Sequence, residues 1–390
     1  MRTLLPTTPS RRVVVGMSGG VDSSVAAWLL KEQGWEVIGV TMKLWPQDCM
    51  TRAEDKCCGP QAIADARGVA HSLGIPHYVM DEAVPFDRMV IDYFAEEYRA
   101  GRTPNPCVMC NEKLKFGNLW EKAAALGAEF IATGHYAIVE HPEDGDPTLR
   151  KGLDPKKDQS YFLFSLRKEQ LGRALFPLGS LTKEEIRGIA RNLGLKVADK
   201  EDSQEICFVP GKDYKAFLKD RLMNRGETFQ AGGFYDTEGN YLGAHDGIEL
   251  FTIGQRKGLP GGSPVPLYVI DIDAAGGRVV LGGEENLLCS EFTVDRVNWL
   301  EPPPVQPRRI SVKVRHGHAG HAAEITMKKD LTAVIRLAEP VRAVTPGQAA
   351  VFYDQDRVVG GGWIARRELI HTQSTQVTID PGQLAEESLA

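Results

Sequence analysis

Seven consecutive residues, Ser18-Gly19-Gly20-Val21-Asp22-Ser23-Ser24, bring together the groups that hold a phosphate chain. They follow the apolar run RVVVG and open a helical stretch over 23–33 that stops at Gly34. Glycine lets backbone amides come close to an anion, and serine hydroxyls donate further hydrogen bonds. The helix N-terminus adds favourable dipole charge. No lysine stands where a Walker loop would place one, so the loop is of another type. A carboxylate in it, Asp22, suits Mg²⁺ held jointly with phosphates.

A second group of reactive types lies in Arg102-Thr103-Pro104-Asn105-Pro106-Cys107-Val108-Met109-Cys110-Asn111, two thiols on a proline-fixed loop before a helix. A cysteine near a helix N-terminus is expected to have a lowered pKa, and the thiolate is the reactive form. Far along the chain, Asp202-Ser203-Gln204-Glu205-Ile206-Cys207-Phe208 places another cysteine in a polar segment. One cysteine to carry sulfur and another to resolve the resulting disulfide is a minimal design for sulfur transfer. A CxxC metal knuckle and buried structural thiols are the other readings of this spacing. Cys49, Cys57 and Cys58 form a further cluster with no assigned role, and Cys289 reads as structural.

These residues need elements to place them. The first half alternates strand-like runs (12–16, 36–42, 76–80, 128–133) with helical ones (59–74, 85–100, 111–126). Such βα repeats predict a doubly wound parallel sheet, whose ligands sit at the carboxyl ends of the strands. In 59–74 the apolar face is Ala62, Ile63, Ala66, Val69, Ala70 and Leu73; in 85–100 it is Phe86, Met89, Val90, Tyr93 and Phe94. Thr182 opens a capping box with Glu185, and Gly194 closes that helix. From about Gly226 short β-type runs alternate with glycine-rich turns, as in a small barrel. The expected division is a catalytic domain over 1–213, a small central domain over 214–285, a β-barrel over 286–371 and a polar tail over 372–390.

The chain of 390 residues has 42% apolar and 25% charged residues and no run long enough to span a bilayer, which excludes a membrane partner and points to the cytoplasm. Seven cysteines in so long a chain argue against a secreted disulfide framework. The net charge of −6 requires any RNA surface to be local. Arg308, Arg309, Lys313, Arg315, Lys328 and Lys329 form the densest basic stretch, with a solvated strand surface as the plain alternative.

The loop SGGVDSS resembles the ATP-pyrophosphatase signature, which grips pyrophosphate while AMP is transferred. In combination, GMSGGVDSS, GRTPNPCVMCN, ATGHYA, KDQSYFL, DSQEICF, FTIGQRKGL and VTPGQAAVFY resemble the bacterial tRNA-specific 2-thiouridylase family, in its order, from Gly16 to Tyr353. The resemblance implies an ATP-pyrophosphatase domain, a small central domain and a C-terminal β-barrel. It also implies ATP-dependent 2-thiolation of the wobble uridine in tRNAs for Lys, Glu and Gln. Carried over by motif, Gly16, Met17, Ser18, Gly19, Gly20, Val21, Asp22 and Ser23 would bind ATP phosphates with Mg²⁺, and Met42 and Gly134 the adenine nucleotide. Cys110 would be the nucleophile and Cys207 the persulfide carrier. Asn105, Pro106 and Cys107 would approach the target base. Lys157, Asp158, Gln159, His135, Arg315, His316 and Gln348 would touch tRNA. A persulfide or sulfide donor protein and a cellular reductant would complete the cycle. Tyr161, Phe162 and Phe164 read as helix core.

The chain departs from that pattern at Cys107, where many family members have an aspartate able to act as general acid or base. A thiol suits that task differently. The change also leaves Cys107, Cys110 and Cys207 as three thiols, which could ligate a [4Fe-4S] cluster with one open iron. An RNA-binding sulfur carrier without catalysis is the non-enzymatic alternative, set against an intact phosphate loop. An amidotransferase would need glutaminase elements that the chain lacks.

Overall fold

In the computed structural model, which describes residues 11–44, 59–200, 206–209, 211, 213–261, 265–328 and 332–366, the run RVVVG lies at the centre of a sheet with Val13, Val14 and Val15 fully buried. Cys49, Cys57, Cys58, residues 202–205, Lys329 and the tail 372–390 lie outside the described residues. Seven strands belong to the first half: β1 (Arg12–Gly16), β2 (Glu36–Lys43), β3 (His77–Asp81), β4 (Phe130–Ala132), β5 (Ala137–Glu140), β6 (Thr148–Lys151) and β7 (Ala174–Leu175). Five of them pair in parallel in the order β3-β2-β1-β4-β7. Because β1 has β2 on one side and β4 on the other, the strand order reverses there. A crevice therefore opens at the carboxyl ends of β1 and β4.

The helices expected from periodicity are present, with two shifts of register. Helix α1 is Val21–Glu32 and α2 is Pro60–Leu73, whose Ala62, Ala66, Val69, Ala70 and Leu73 are buried. The third, α3 over 83–99, contains a π-helical turn at Asp87–Ile91. That turn rotates the face after it, so Met89 is exposed while Ile91, Ala95 and Tyr98 are buried beside Phe86, Val90 and Phe94. Helix α4 begins at Pro106, earlier than the 111 expected, runs to 125, and is π-helical over Cys110–Asn118. Helix α5 (Lys183–Asn192) carries the expected capping box: Thr182 Oγ1 accepts from the Glu185 amide, and Glu185 accepts from Thr182 N at 2.7 Å. Helix α6 (Tyr214–Asn224) leads into the central region and is tied to α3 through Arg221 on Asp87 and Asp92.

The central sheet joins β8 (Gly232–Tyr235), β9 (Tyr241–His245), β10 (Tyr268–Asp273) and β11 (Arg278–Gly282) in the order β10-β11-β8-β9. The last six strands are β12 (Leu288–Trp299), β13 (Arg308–Lys313), β14 (His321–Met327), β15 (Ala333–Arg342), β16 (Ala349–Asp354) and β17 (Arg357–Ile364). Pairing of β12 with β17 closes them into a barrel. The run AAVFY in β16 does not alternate because both of its faces are covered. Ala350 and Phe352 point into the barrel core, while Ala349, Val351 and Tyr353 pack with Tyr161, Leu163 and Phe164 of the N-terminal domain. Tyr161 and Phe164 are core residues as expected, though they lie in and just after a short 3₁₀ turn, Ser160–Phe162, and Phe162 is only half-buried. The β5–β6 hairpin extends the barrel sheet through β17, so barrel and N-terminal domain share backbone pairing as well as a core. Among the described residues no helix is long and apolar enough to cross a membrane.

Candidate active site

The glycine loop sits at the crevice. Gly16 ends β1, Met17 is anchored by its amide on Val40 O, and α1 begins at Val21. Ser23 Oγ accepts from Ser18 N at 3.1 Å, which curls the loop around the helix start. The N-cap is Gly20, with no side chain capping the helix, so the first amides of α1 are not satisfied by their own cap. A helix end of this kind is an anion site. Gly134, after β4, forms the opposite wall. A Cβ there would stand 2.8 Å from the Asp22 carbonyl carbon and from the Ser23 nitrogen, so only glycine fits so close to the helix start.

Two lysines from outside the loop reach it. Lys183, the first residue of α5, puts its ammonium 2.8 and 2.9 Å from the two Asp22 carboxylate oxygens, and Tyr136 donates its hydroxyl to Asp22 Oδ1 at 2.6 Å. Lys200 donates to Gly19 O at 3.1 Å and to Asp65. The Asp22 carboxylate, expected to face Mg²⁺, is thus already engaged by a cation and a hydroxyl. Sequence reasoning missed Lys183 by treating it as part of a capping box. The signal was its position: the first turn of a helix favours acidic side chains, so a lysine there calls for a partner elsewhere.

The thiols lie on α4. Cys110 and Cys207 pack against one apolar cluster with Phe86, Phe94, Leu114 and Phe208, and Met42 at the end of β2 packs against the same cluster. The structure therefore joins the proposed nucleotide contact Met42 to both proposed sulfur-handling cysteines. Cys107 is exposed and Cys110 half-buried. Asn105 and Pro106 are buried, so within Asn105–Cys107 only Cys107 is an exposed residue. Cys289 is buried in the barrel, its thiol on Glu291 O.

The expected lowering of the thiol pKa is overturned. Enclosure by surrounding protein pushes Cys107 up to about 11, with the neighbouring Cys110 adding to the rise. Burial also raises Cys110. Lys115 opposes both shifts without reversing them. It follows Cys110 by five residues, a spacing that a π-helical turn brings back to one face and an α-helix does not. Alkylation of Cys107 is accordingly expected to be slow at pH 7 despite its exposure. Its rate should climb about tenfold per pH unit through pH 9.5, because only the thiolate reacts. A plateau below pH 9 in the peptide-mapped rate would contradict this.

No three His, Cys, Asp or Glu side chains among the described residues form a group able to hold a metal ion. Cys107, Cys110 and Cys207 thus do not present a ligand set for a [4Fe-4S] cluster.

The residues expected at tRNA separate into inward and outward sets. His135 is buried, shares a 2.6 Å hydrogen bond with Thr133 Oγ1, and burial holds it well below the usual histidine range. Asp158 is buried, accepts from Gly152 N and Ser160 N, and faces Lys313 Nζ at 3.3 Å. Gln159 accepts from Tyr136 N at 3.0 Å. Lys157 is half-buried. His316 leans on the Phe162 ring at 4.4 Å, and burial lowers its pKa. Arg315 donates to Ala343 O at 2.6 Å, and Gln348 donates to Thr103 O and Pro104 O. The basic stretch is similarly drawn inward: Arg308 pairs with Glu301 and Asp354, Lys313 with Asp158, and Arg315 with backbone. Arg309 and Lys328 remain exposed.

An uncapped glycine loop at the switch point of a parallel sheet, followed by a small β domain and a closed barrel, defines a three-part protein built on a HUP domain. Family models agree: a tRNA methyl transferase HUP domain matches residues 11–211, a tRNA methyl transferase PRC-barrel domain 215–283, and an aminomethyltransferase beta-barrel domain 289–364. The tRNA-specific 2-thiouridylase MnmA 1 of Caldanaerobacter subterraneus subsp. tengcongensis is 50% identical over 92% of this chain and 99% of its own length. The tRNA-specific 2-thiouridylase MnmA of Geotalea uraniireducens is 49% identical over 91% of this chain and 95% of its own. A solved 4-thiouridine synthetase–RNA complex with bound ATP shows a slight likeness, 16% identity and a TM-score of 0.33, over 55% of this chain and 51% of that one. The chain belongs to the family of tRNA-specific 2-thiouridylases, and is an enzyme of the sulfurtransferase class.

Proposed function

We propose that this enzyme replaces O2 of the wobble uridine in tRNAs for Lys, Glu and Gln with sulfur, consuming ATP. ATP, as its magnesium salt, places its phosphates on the amides of residues 18–23, and the uridine O2 attacks the α-phosphorus, releasing pyrophosphate. The nucleobase then carries AMP, a good leaving group, at C2. Cys207, loaded as a persulfide by a donor protein, attacks C2 with its terminal sulfur, and AMP departs. Cys110 next attacks the inner Cys207 sulfur, leaving 2-thiouridine and a Cys110–Cys207 disulfide that a cellular reductant resets. Release of sulfide by Cys110 before attack on C2 reaches the same products.

The observation that carries this reading is that Met42, Cys110 and Cys207 pack against one apolar cluster, with Met42 near the end of the strand that pairs with β1. Chemistry that joins an adenylate to a sulfur carrier needs those two sites adjacent and shielded from water. Cys107, protonated at neutral pH, can give a proton but is poorly suited to take one. The test is incubation of unmodified tRNA with ATP and a persulfide donor. Nucleoside mass spectrometry should find 2-thiouridine, and AMP should form only when tRNA is present. AMP formation without 2-thiouridine, or no dependence on tRNA, would defeat the proposal.

A further inference from the structure

We infer that Gln348 is a positioning residue for the thiol loop, through which the barrel sets where Cys107 and Cys110 stand. This rests on Cys110 being the resolving thiol of the proposed function. Gln348 lies at the start of the barrel segment leading into β16, and its side-chain amide donates to Thr103 O at 3.1 Å and to Pro104 O at 2.9 Å. The contact is reciprocal at the backbone, where Thr103 N donates to Pro346 O at 2.9 Å. Between them, Gly347 has φ +85°, and a Cβ there would stand 2.8 Å from Arg102 Cβ and 2.9 Å from Thr103 O. No side chain fits in that gap. The far side of the loop is fixed by Arg102, whose guanidinium makes a two-pronged pair with the buried Glu97 at 2.6 and 2.7 Å.

The barrel turn is itself held rigid. Arg315 donates to Ala343 O at 2.6 Å, Thr345 Oγ1 donates to the same carbonyl at 2.9 Å, and Ala343 is kept at φ +53°. A non-glycine residue stays in that region only where its surroundings hold it there. Thr103 and Pro104 are four and three positions before Cys107 on a chain stiffened by Pro104 and Pro106, so displacement at the clamp is passed to the thiols.

Gln348→Met keeps the side-chain length and removes both donors, and Gly347→Ala wedges the gap without touching the amide. Three quantities are measured on full-length protein: peptide-mapped alkylation rates of Cys107 and Cys110 without RNA, the dissociation constant for unmodified tRNA, and single-turnover thiolation. Expected in both variants are faster alkylation and slower thiolation, each by roughly tenfold, the worth of one to two net hydrogen bonds. Binding of tRNA should stay within about twofold in Gly347→Ala, which leaves every polar side chain in place. Unchanged alkylation with weakened tRNA binding would overturn the inference and make Gln348 an RNA contact. If thiolation fails in the unmodified protein too, the proposed function falls while the alkylation rates still judge the clamp. Should Gln348→Met not fold, Gln348→Asn withdraws the donor by one methylene and is judged by the same rates.

Discussion

Lys183→Met is expected to lower the tRNA-dependent conversion of ATP to AMP by about a hundredfold or more, the usual scale for losing one group that faces developing charge in a shielded site. Lys183 is largely buried, with 11% of its side chain exposed, and its ammonium reaches both oxygens of Asp22 in the first turn of α1. Removing it acts twice. The crevice loses a cation that an incoming triphosphate would meet, and the Asp22 carboxylate is left to repel that triphosphate. Asp22 is 30% exposed, so water relieves part of the second effect. The stability loss should therefore fall below the about 3–5 kcal/mol of a fully buried broken pair. Adding Asp22→Asn to Lys183→Met separates the contributions. The double variant should recover stability, because no lone charge remains, and should stay defective with ATP. Recovery of both would reduce Lys183 to a structural partner of Asp22. Lys200→Met, which removes a contact to Gly19 O and Asp65, should be milder, because that ammonium is itself 38% exposed and leaves the Asp22 carboxylate paired.

What could be read from the sequence, and what could not, divides by the range of the interaction. The phosphate loop was legible because its glycines, its hydroxyls and the helix after it are neighbours in the chain. Parallel strands were legible for the same reason, since RVVVG is a buried run whichever strands flank it. The Met89 face of α3 misled because a π-helical turn, which has no strong sequence signature, changes the period inside the helix. Helix-start logic predicted acidic thiols, yet burial by the surrounding protein raises both. The same long range hid the ties of Lys183 to Asp22, Gln348 to Thr103 and Pro104, and the β5–β6 hairpin to the barrel. Of the basic residues counted toward an RNA surface, Arg308, Lys313 and Arg315 have carboxylate or carbonyl partners that a linear charge count cannot see.

The two cysteines should fail in different ways when changed to serine, and the difference distinguishes the two sulfur routes. Cys207→Ser cannot carry a persulfide, so 2-thiouridine should fall below detection, a loss of about a thousandfold or more for removing a covalent nucleophile. Formation of AMP on tRNA should persist, because adenylation does not use that thiol. Cys110→Ser retains the carrier and removes the resolving thiol. If the persulfide attacks C2 directly, the reaction halts with tRNA joined to Cys207 through a disulfide, one per enzyme, and dithiothreitol should release thiolated tRNA from it. If Cys110 must first liberate sulfide, Cys110→Ser gives no adduct and no thiolation. On the proposed function the adduct is the expected outcome. Burial keeps Cys110 protonated at rest, so it is a weak nucleophile toward a waiting persulfide. Its position against the same apolar cluster as Cys207 leaves it placed to act after the nucleobase has taken the sulfur. The neighbouring Lys115, which pulls the Cys110 pKa downward, offers the charge needed when that second attack begins. Lys115→Met should therefore slow adduct resolution more than adduct formation, and a denaturing gel with and without dithiothreitol reads both steps.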